Sequence, residues 1–147
     1  MNKTYLKLLQ EAIDNSEYST DKLGADGRKT INVDFDGVVH AYSKGFNTGD
    51  IYDKPAVGTE EALHLLSRKY DLICFSARVN ADPSGNGREA IDEWLKKYNL
   101  RQYFKDITDK KHPSLVIIDD SAVRHTSWKE TLEQLKEIGI LKEEGDT

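Results

Sequence analysis

Four short stretches of this chain carry side chains that could act on a charged oxygen. They are Asp34-Phe35-Asp36-Gly37, the lone Ser76, the pair Lys110-Lys111 and the pair Asp119-Asp120. Each ends or closely follows a short run with strand character: TINVDF, DLICF, the weaker YFKDIT and LVII. Runs this short, rich in β-branched and aromatic residues and bounded by turn formers, read as strands. With helices between them they make βαβ units, which wind into a parallel sheet. Such sheets bind ligands outside the carboxyl ends of their strands, where these polar groups would meet. Four carboxylates in one partly covered cleft repel one another, and a bound cation removes that repulsion. Oxygen-only donors favour a hard ion, and magnesium often meets a substrate phosphate. The serine hydroxyl and the lysine ammonium suit that phosphate.

In this order the residues resemble the four motifs of the haloacid dehalogenase (HAD) superfamily. DFDG follows one apolar strand, a serine ends the next, a lysine comes later, and DD closes a last strand. The match runs from about residue 31 to 120, and FSAR, KHPSLVIIDDS and VDFDGVVHAY further resemble small bacterial and phage members. The resemblance implies a Rossmann-like three-layer α/β/α domain with a central, mainly parallel sheet. It implies a magnesium-dependent phosphomonoester hydrolase in which Asp34 is the nucleophile and forms an aspartyl-phosphate. A carboxylate nucleophile divides one hard hydrolysis into two easier displacements. Asp36 would protonate the leaving oxygen and then activate water. Ser76 would donate to a phosphate oxygen, and Lys111, with Lys110 as its rival, would neutralise the phosphoryl group and orient Asp34. Magnesium would sit on Asp34, the Asp36 backbone carbonyl and Asp120, with Asp119 at or beside the ion. Arg78, two residues past Ser76, could bind the phosphate or the leaving group, or make a surface ion pair.

Two features depart from the pattern. Val38 stands where many family phosphatases have threonine. The intervals from Asp36 to Ser76 and from Ser76 to Lys111 are largely filled by a helix and a strand, so no cap domain is expected. A substrate could then be bulky: a nucleotide or a phosphorylated polynucleotide end is the second enzyme reading. A receiver-like phosphate-binding domain is the reading from another class, but receivers usually carry their acidic pair at the first strand and their acceptor at a middle one. A dehalogenase is disfavoured because Asp36 supplies the leaving-group acid that phosphoryl transfer needs.

The elements that must position these groups are legible as periodicity. Residues 2–15 read as an amphipathic helix, 16–28 as a loop and 30–35 as the first strand. Residues 36–58 form a long excursion with Gly37, Gly45, Gly49, Pro55 and Gly58, a length that signals function. Its Tyr42, Phe46 and Tyr52 could cover the site or merely pack the loop. Thr59 is expected to cap a helix carrying Ala62, Leu63, Leu65 and Leu66. A second helix covers 88–98 with Ile91, Trp94, Leu95 and Tyr98 inside. The sequence Ser127-x-x-Glu130 is a capping box opening a helix over 127–139 with Trp128, Leu132, Leu135 and Ile138 inside. Together these make one domain over 1–147, with the motif-bearing core at 30–120. His40, His112 and His125 lie near the loops and read as turn or packing residues, His64 as a helix residue, and Cys74 as a buried small residue.

Composition excludes other classes. With 26 acidic against 21 basic residues the net charge is -5, which disfavours a duplex nucleic acid partner. One cysteine permits no intramolecular disulfide and no cysteine-based zinc site, and suits a reducing cytoplasm. No apolar run approaches a membrane span, and the start of the chain does not read as a secretory signal. The expected partner is a small phosphorylated substrate. A homo-oligomer, in which a partner subunit serves as lid, stays open.

Overall fold

The expected apolar runs form four strands: β1 (Thr30–Asp34), β2 (Asp71–Phe75), β3 (Phe104–Thr108) and β4 (Val116–Ile118). The computed structural model describes residue 7, residues 29–81 and residues 85–142. The helix expected over 2–15, apart from Lys7, and the loop over 16–28 lie outside the described residues. Helix α1 (Thr59–Ser67) joins β1 to β2. A single turn α2 (Arg78–Ala81), helix α3 (Gly87–Lys97) and a 3-10 turn (Arg101–Tyr103) join β2 to β3, and α4 (Trp128–Glu137) follows β4. The strands pair in the order β3-β2-β1-β4 with every neighbour parallel. This is a small α/β Rossmann-like domain. Among the described residues no helix is long and apolar enough to cross a membrane.

Strand order has a direct consequence for the site. The chain steps outward from β1 through β2 to β3, then returns past β1 to lay β4 on its other side. The switch point therefore lies between β1 and β4, whose carboxyl ends carry Asp34 and Asp119-Asp120. A crevice opens there because the connections leave in opposite directions.

Side chains alternate across a strand, so register decides which face each residue takes. Ile31 pairs with Leu72, Val33 with Cys74 and Cys74 with Ile107. These residues share one face and are buried in a core with Leu63 and Leu66 of α1 and Ile91 and Leu95 of α3. Each such aliphatic side chain contributes roughly 1.5–3 kcal/mol on full burial. Cys74 is free and fully buried, and burial followed by the charge of Asp34 pushes its thiol up.

Asn32 occupies the opposite face and is also fully buried. Its Nδ2 donates to the His112 carbonyl at 2.8 Å and to Ser114 Oγ at 2.8 Å, while its Oδ1 accepts the His112 N–H at 3.4 Å. One side chain in the middle of β1 thus grips the β3–β4 connection immediately after Lys111.

Three expectations need correction. The cap of α1 is Gly58, not Thr59, because the chain enters the helix through a left-handed residue (φ 88°) that favours glycine. Ser127 does cap α4, accepting the Glu130 N–H at 3.2 Å, but the Glu130 carboxylate takes the Thr126 hydroxyl instead of turning back to the cap. Trp128, Leu132 and Ile138, expected inside, are 70%, 44% and 62% exposed. Amphipathic spacing identifies a face, not what lies against it.

The Asn32 grip yields a stability test. Asn32→Ala leaves the groups it pairs without their partner, which typically costs about 1–3 kcal/mol. Urea unfolding should show a lower midpoint at unchanged slope. An unchanged midpoint would mean that the connection is held by other contacts.

Candidate active site

Beyond β1 the backbone turns tightly around one carbonyl. Phe35 O accepts the N–H groups of Val38, Val39 and His40 at 3.4, 3.0 and 2.9 Å. Inside this turn Gly37 has φ 82°, and a Cβ there would fall on the Asp120 carboxylate. Glycine is required for both reasons: the left-handed backbone and the close approach of the β4 end.

Asp34, Asp119 and Asp120 come together as expected. One carboxylate oxygen from each lies within 4.8 Å of the other two. Burial is the main force on Asp34, followed by the charges of Asp119 and Asp120, with Asp36 adding a smaller push against the Phe35 N–H. Its carboxyl is raised from 3.8 to about 7. Asp119 is partly satisfied, accepting the Ser121 N–H at 2.9 Å and hydroxyl at 3.1 Å through Oδ1. Three oxygen donors with no nitrogen or sulfur among them fit a hard divalent cation, which would relieve the strain that raises Asp34.

The Asp36 side chain is not part of this cluster. Its Oδ1 lies 2.8 Å from His40 Nδ1, and its Oδ2 accepts from Arg78 Nε at 2.7 Å. Arg78 is no surface ion pair: its side chain is only 11% exposed. Its Nη1 donates to the Gly49 carbonyl, while Nη2 is buried without a partner among the described residues. Ser76 is buried at the end of β2, where its Oγ accepts the Arg78 N–H at 3.1 Å and keeps its own proton for another acceptor.

Both lysines are exposed. Lys111 Nζ stands 5.8 Å from the ring centroid of Phe75, the residue paired with Asp34 across β1 and β2. Lys110 makes no comparable contact among the described residues. No ion pair within 4.0 Å joins Lys111 to a carboxylate among the described residues.

The excursion at 38–58 is tied down at its base. Ala41 N donates to Lys54 O and Ala56 N to Val39 O, each at about 3 Å, and Trp94 Nε1 on α3 donates to the Asp53 carbonyl. Tyr52 is a packing residue: its hydroxyl donates to Gly45 O and accepts from Lys44 N. Tyr42 and Phe46 instead approach Arg78, with ring centroids 5.8 and 6.0 Å from its Cζ. An apolar groove of about 500 Å³, lined by Val33, Val38, Leu63, Leu66 and Ile118 among others, runs beside α1 and holds none of the charged groups.

Sequence reasoning missed two residues that shape the site. His40 was read as a turn or packing residue, with contact to substrate as the alternative, and Asn32 carried no expectation beyond its strand. A histidine four residues after the second Asp is a visible signal, because a turn returns such a residue onto its neighbour. No family model, curated protein or solved structure matches the chain.

The raised Asp34 sets a pH dependence. Between 3.8 and about 7 the folded chain binds more protons at this group than the unfolded chain does. Its contribution to stability therefore falls as pH rises through that window. Asp34→Asn mimics the protonated form. In chelator-treated buffer the variant should melt above the wild type near pH 8, with the difference shrinking toward pH 4. A difference independent of pH would show that Asp34 is not strained.

Proposed function

We propose that this protein is a magnesium-dependent phosphomonoester hydrolase acting through an aspartyl-phosphate, as its resemblance to the HAD superfamily implies. One observation carries the reading: a three-carboxylate cluster and a largely buried arginine, whose Nη2 has no partner among the described residues, stand around one aspartate turn. The first suits a cation and the second an anion, which is the requirement of a metal-assisted phosphate site. Asp34, Asp120 and the Asp36 carbonyl, with Asp119 beside them, would hold magnesium, which when bound offsets the charge of the carboxylates and the phosphate.

In the first half-reaction an Asp34 oxygen attacks phosphorus and the ester P–O bond breaks. The leaving oxygen takes its proton from Asp36. In the second, Asp36 removes a proton from water, the water oxygen attacks phosphorus, and the bond to Asp34 breaks to release phosphate. Ser76 donates its hydroxyl to a phosphate oxygen, and Lys111 offsets the charge carried by Asp34 and the phosphoryl group. In the free protein both Asp36 oxygens are engaged. A phosphate dianion competing for Arg78 releases Oδ2 of Asp36, which then accepts a proton from solvent and becomes the acid. The lone buried thiol of Cys74 fits a reducing compartment such as the cytoplasm.

A specific observation favours a nucleotide or polynucleotide-end substrate within this class. Phe46 is 62% exposed at the tip of the excursion, beside Arg78, where an aromatic leaving group could stack on it.

Two experiments test these readings. Hydrolysis of an alkyl phosphate should require magnesium and stop with chelator. Asp34→Asn should abolish it, and Asp36→Asn should slow it by ~10²–10⁴-fold, the range for a lost acid–base group. Near-wild-type turnover by Asp34→Asn would remove the nucleophile assignment. For the substrate class, Phe46→Ala should lower kcat/KM for nucleotides by about 10-fold, the scale of a stacking contact, while sparing a simple alkyl phosphate. Equal loss on both would reduce Phe46 to loop packing.

A further inference from the structure

We infer that His40 is a positioning residue for Asp36, held as the neutral ring that donates from Nδ1, and this rests on the acid–base role of Asp36 given above. The ring is fully buried, and each nitrogen has one partner. Nε2 lies 3.0 Å from the backbone nitrogen of Asp53. An amide N–H can only donate, so Nε2 must offer a bare lone pair. The ring proton is therefore on Nδ1, 2.8 Å from Asp36 Oδ1. The bond made by one nitrogen sets the role of the other. An imidazolium would set N–H against N–H at Asp53.

The surroundings leave the ring little freedom to turn. Phe35 stacks on it at 5.5 Å, and the rings of Tyr52 and Trp94 meet it at steep angles, 5.2 and 5.6 Å between centroids. The donor opposite Nε2 is fixed as well. Trp94 Nε1 holds the Asp53 carbonyl at 3.0 Å, and the Asp53 side chain accepts from Ser43 N, Ser43 Oγ and Lys54 N. An unbroken set of contacts runs from α3 through the base of the excursion to one oxygen of Asp36.

This arrangement makes the two oxygens of Asp36 unequal. Oδ1 is anchored by a buried donor that cannot leave, whereas Oδ2 faces Arg78, which also has an unpartnered nitrogen. When phosphate draws Arg78 away, only Oδ2 is free to take and deliver the proton. His40 thus decides which oxygen serves as acid and holds it in place.

Two measurements test this. Long-range proton–nitrogen spectra of protein labelled in its four histidines should show one ring protonated at Nδ1 and bare at Nε2, absent from His40→Asn. A His40 ring protonated at Nε2 overturns the inference. In kinetics, His40→Leu should lower kcat/KM for an alkyl phosphate by ~10²-fold, the low end of a lost acid. An aryl phosphate, whose leaving group needs little protonation, should lose far less. His40→Asn, whose amide offers an N–H where Nδ1 stood, should restore most of the alkyl activity. Equal losses on both esters, or no advantage of Asn over Leu, overturns the positioning role. If the leucine variant does not fold, the wild-type ring spectrum and the asparagine variant still decide. A wild type inactive on both esters instead removes the phosphatase reading, which separates that failure from a failure of His40 alone.

Discussion

The rest of the site depends on negative charge that the fold brings together and only partly hydrates. β1 and β4 are adjacent, so the residues that follow the carboxyl end of β4, Asp119 and Asp120, lie beside Asp34. Burial keeps water from fully hydrating Asp34, and its carboxyl rises to about 7. A fold that tolerates such a group spends stability on it, and strain of this kind is concentrated where chemistry is done. Around it the chain makes local sacrifices of the same sort. Gly37 takes a left-handed conformation so that Asp120 can approach, and Phe35 O serves three N–H groups so that the turn stays tight.

Asp36 is treated in the opposite way. Two residues after a carboxylate with no counter-charge among the described residues comes one with a donor on each oxygen. Such different surroundings are what the proposed division of roles between Asp34 and Asp36 requires. Arg78 joins the Asp36 carboxylate to the Gly49 carbonyl in the excursion, and its Nη2 is buried without a partner among the described residues. The excursion and the Asp36 carboxylate are therefore coupled through one guanidinium, whose planar fork can serve several acceptors together.

Much of this was legible before any coordinates. The strands followed from short β-branched runs, because a sheet buried on its face demands them. The helix after Gly58 and the one expected over 88–98, found at Gly87–Lys97, followed from apolar spacing, and the position of Asp34, Ser76 and Asp119 at strand ends followed from the short apolar runs. The burial of Trp94 was expected, but not its second task of holding the Asp53 carbonyl. The exposure of Trp128 was misjudged, since periodicity reports a face without its partner.

Sequence by itself determined the α/β class, the parallel sheet and the residues that end each strand, because hydrophobic period and strand length are local properties. Only the tertiary structure decided the partners. That Asp34 meets Asp119 and Asp120 while Asp36 turns to His40 and Arg78 depends on strand order and on one tight turn. That Asn32 grips His112 eighty residues away depends on register, which a one-residue slip would turn to the other face. Residue types state what a group is able to do, and distances between remote segments, fixed by packing, select which of those things it does.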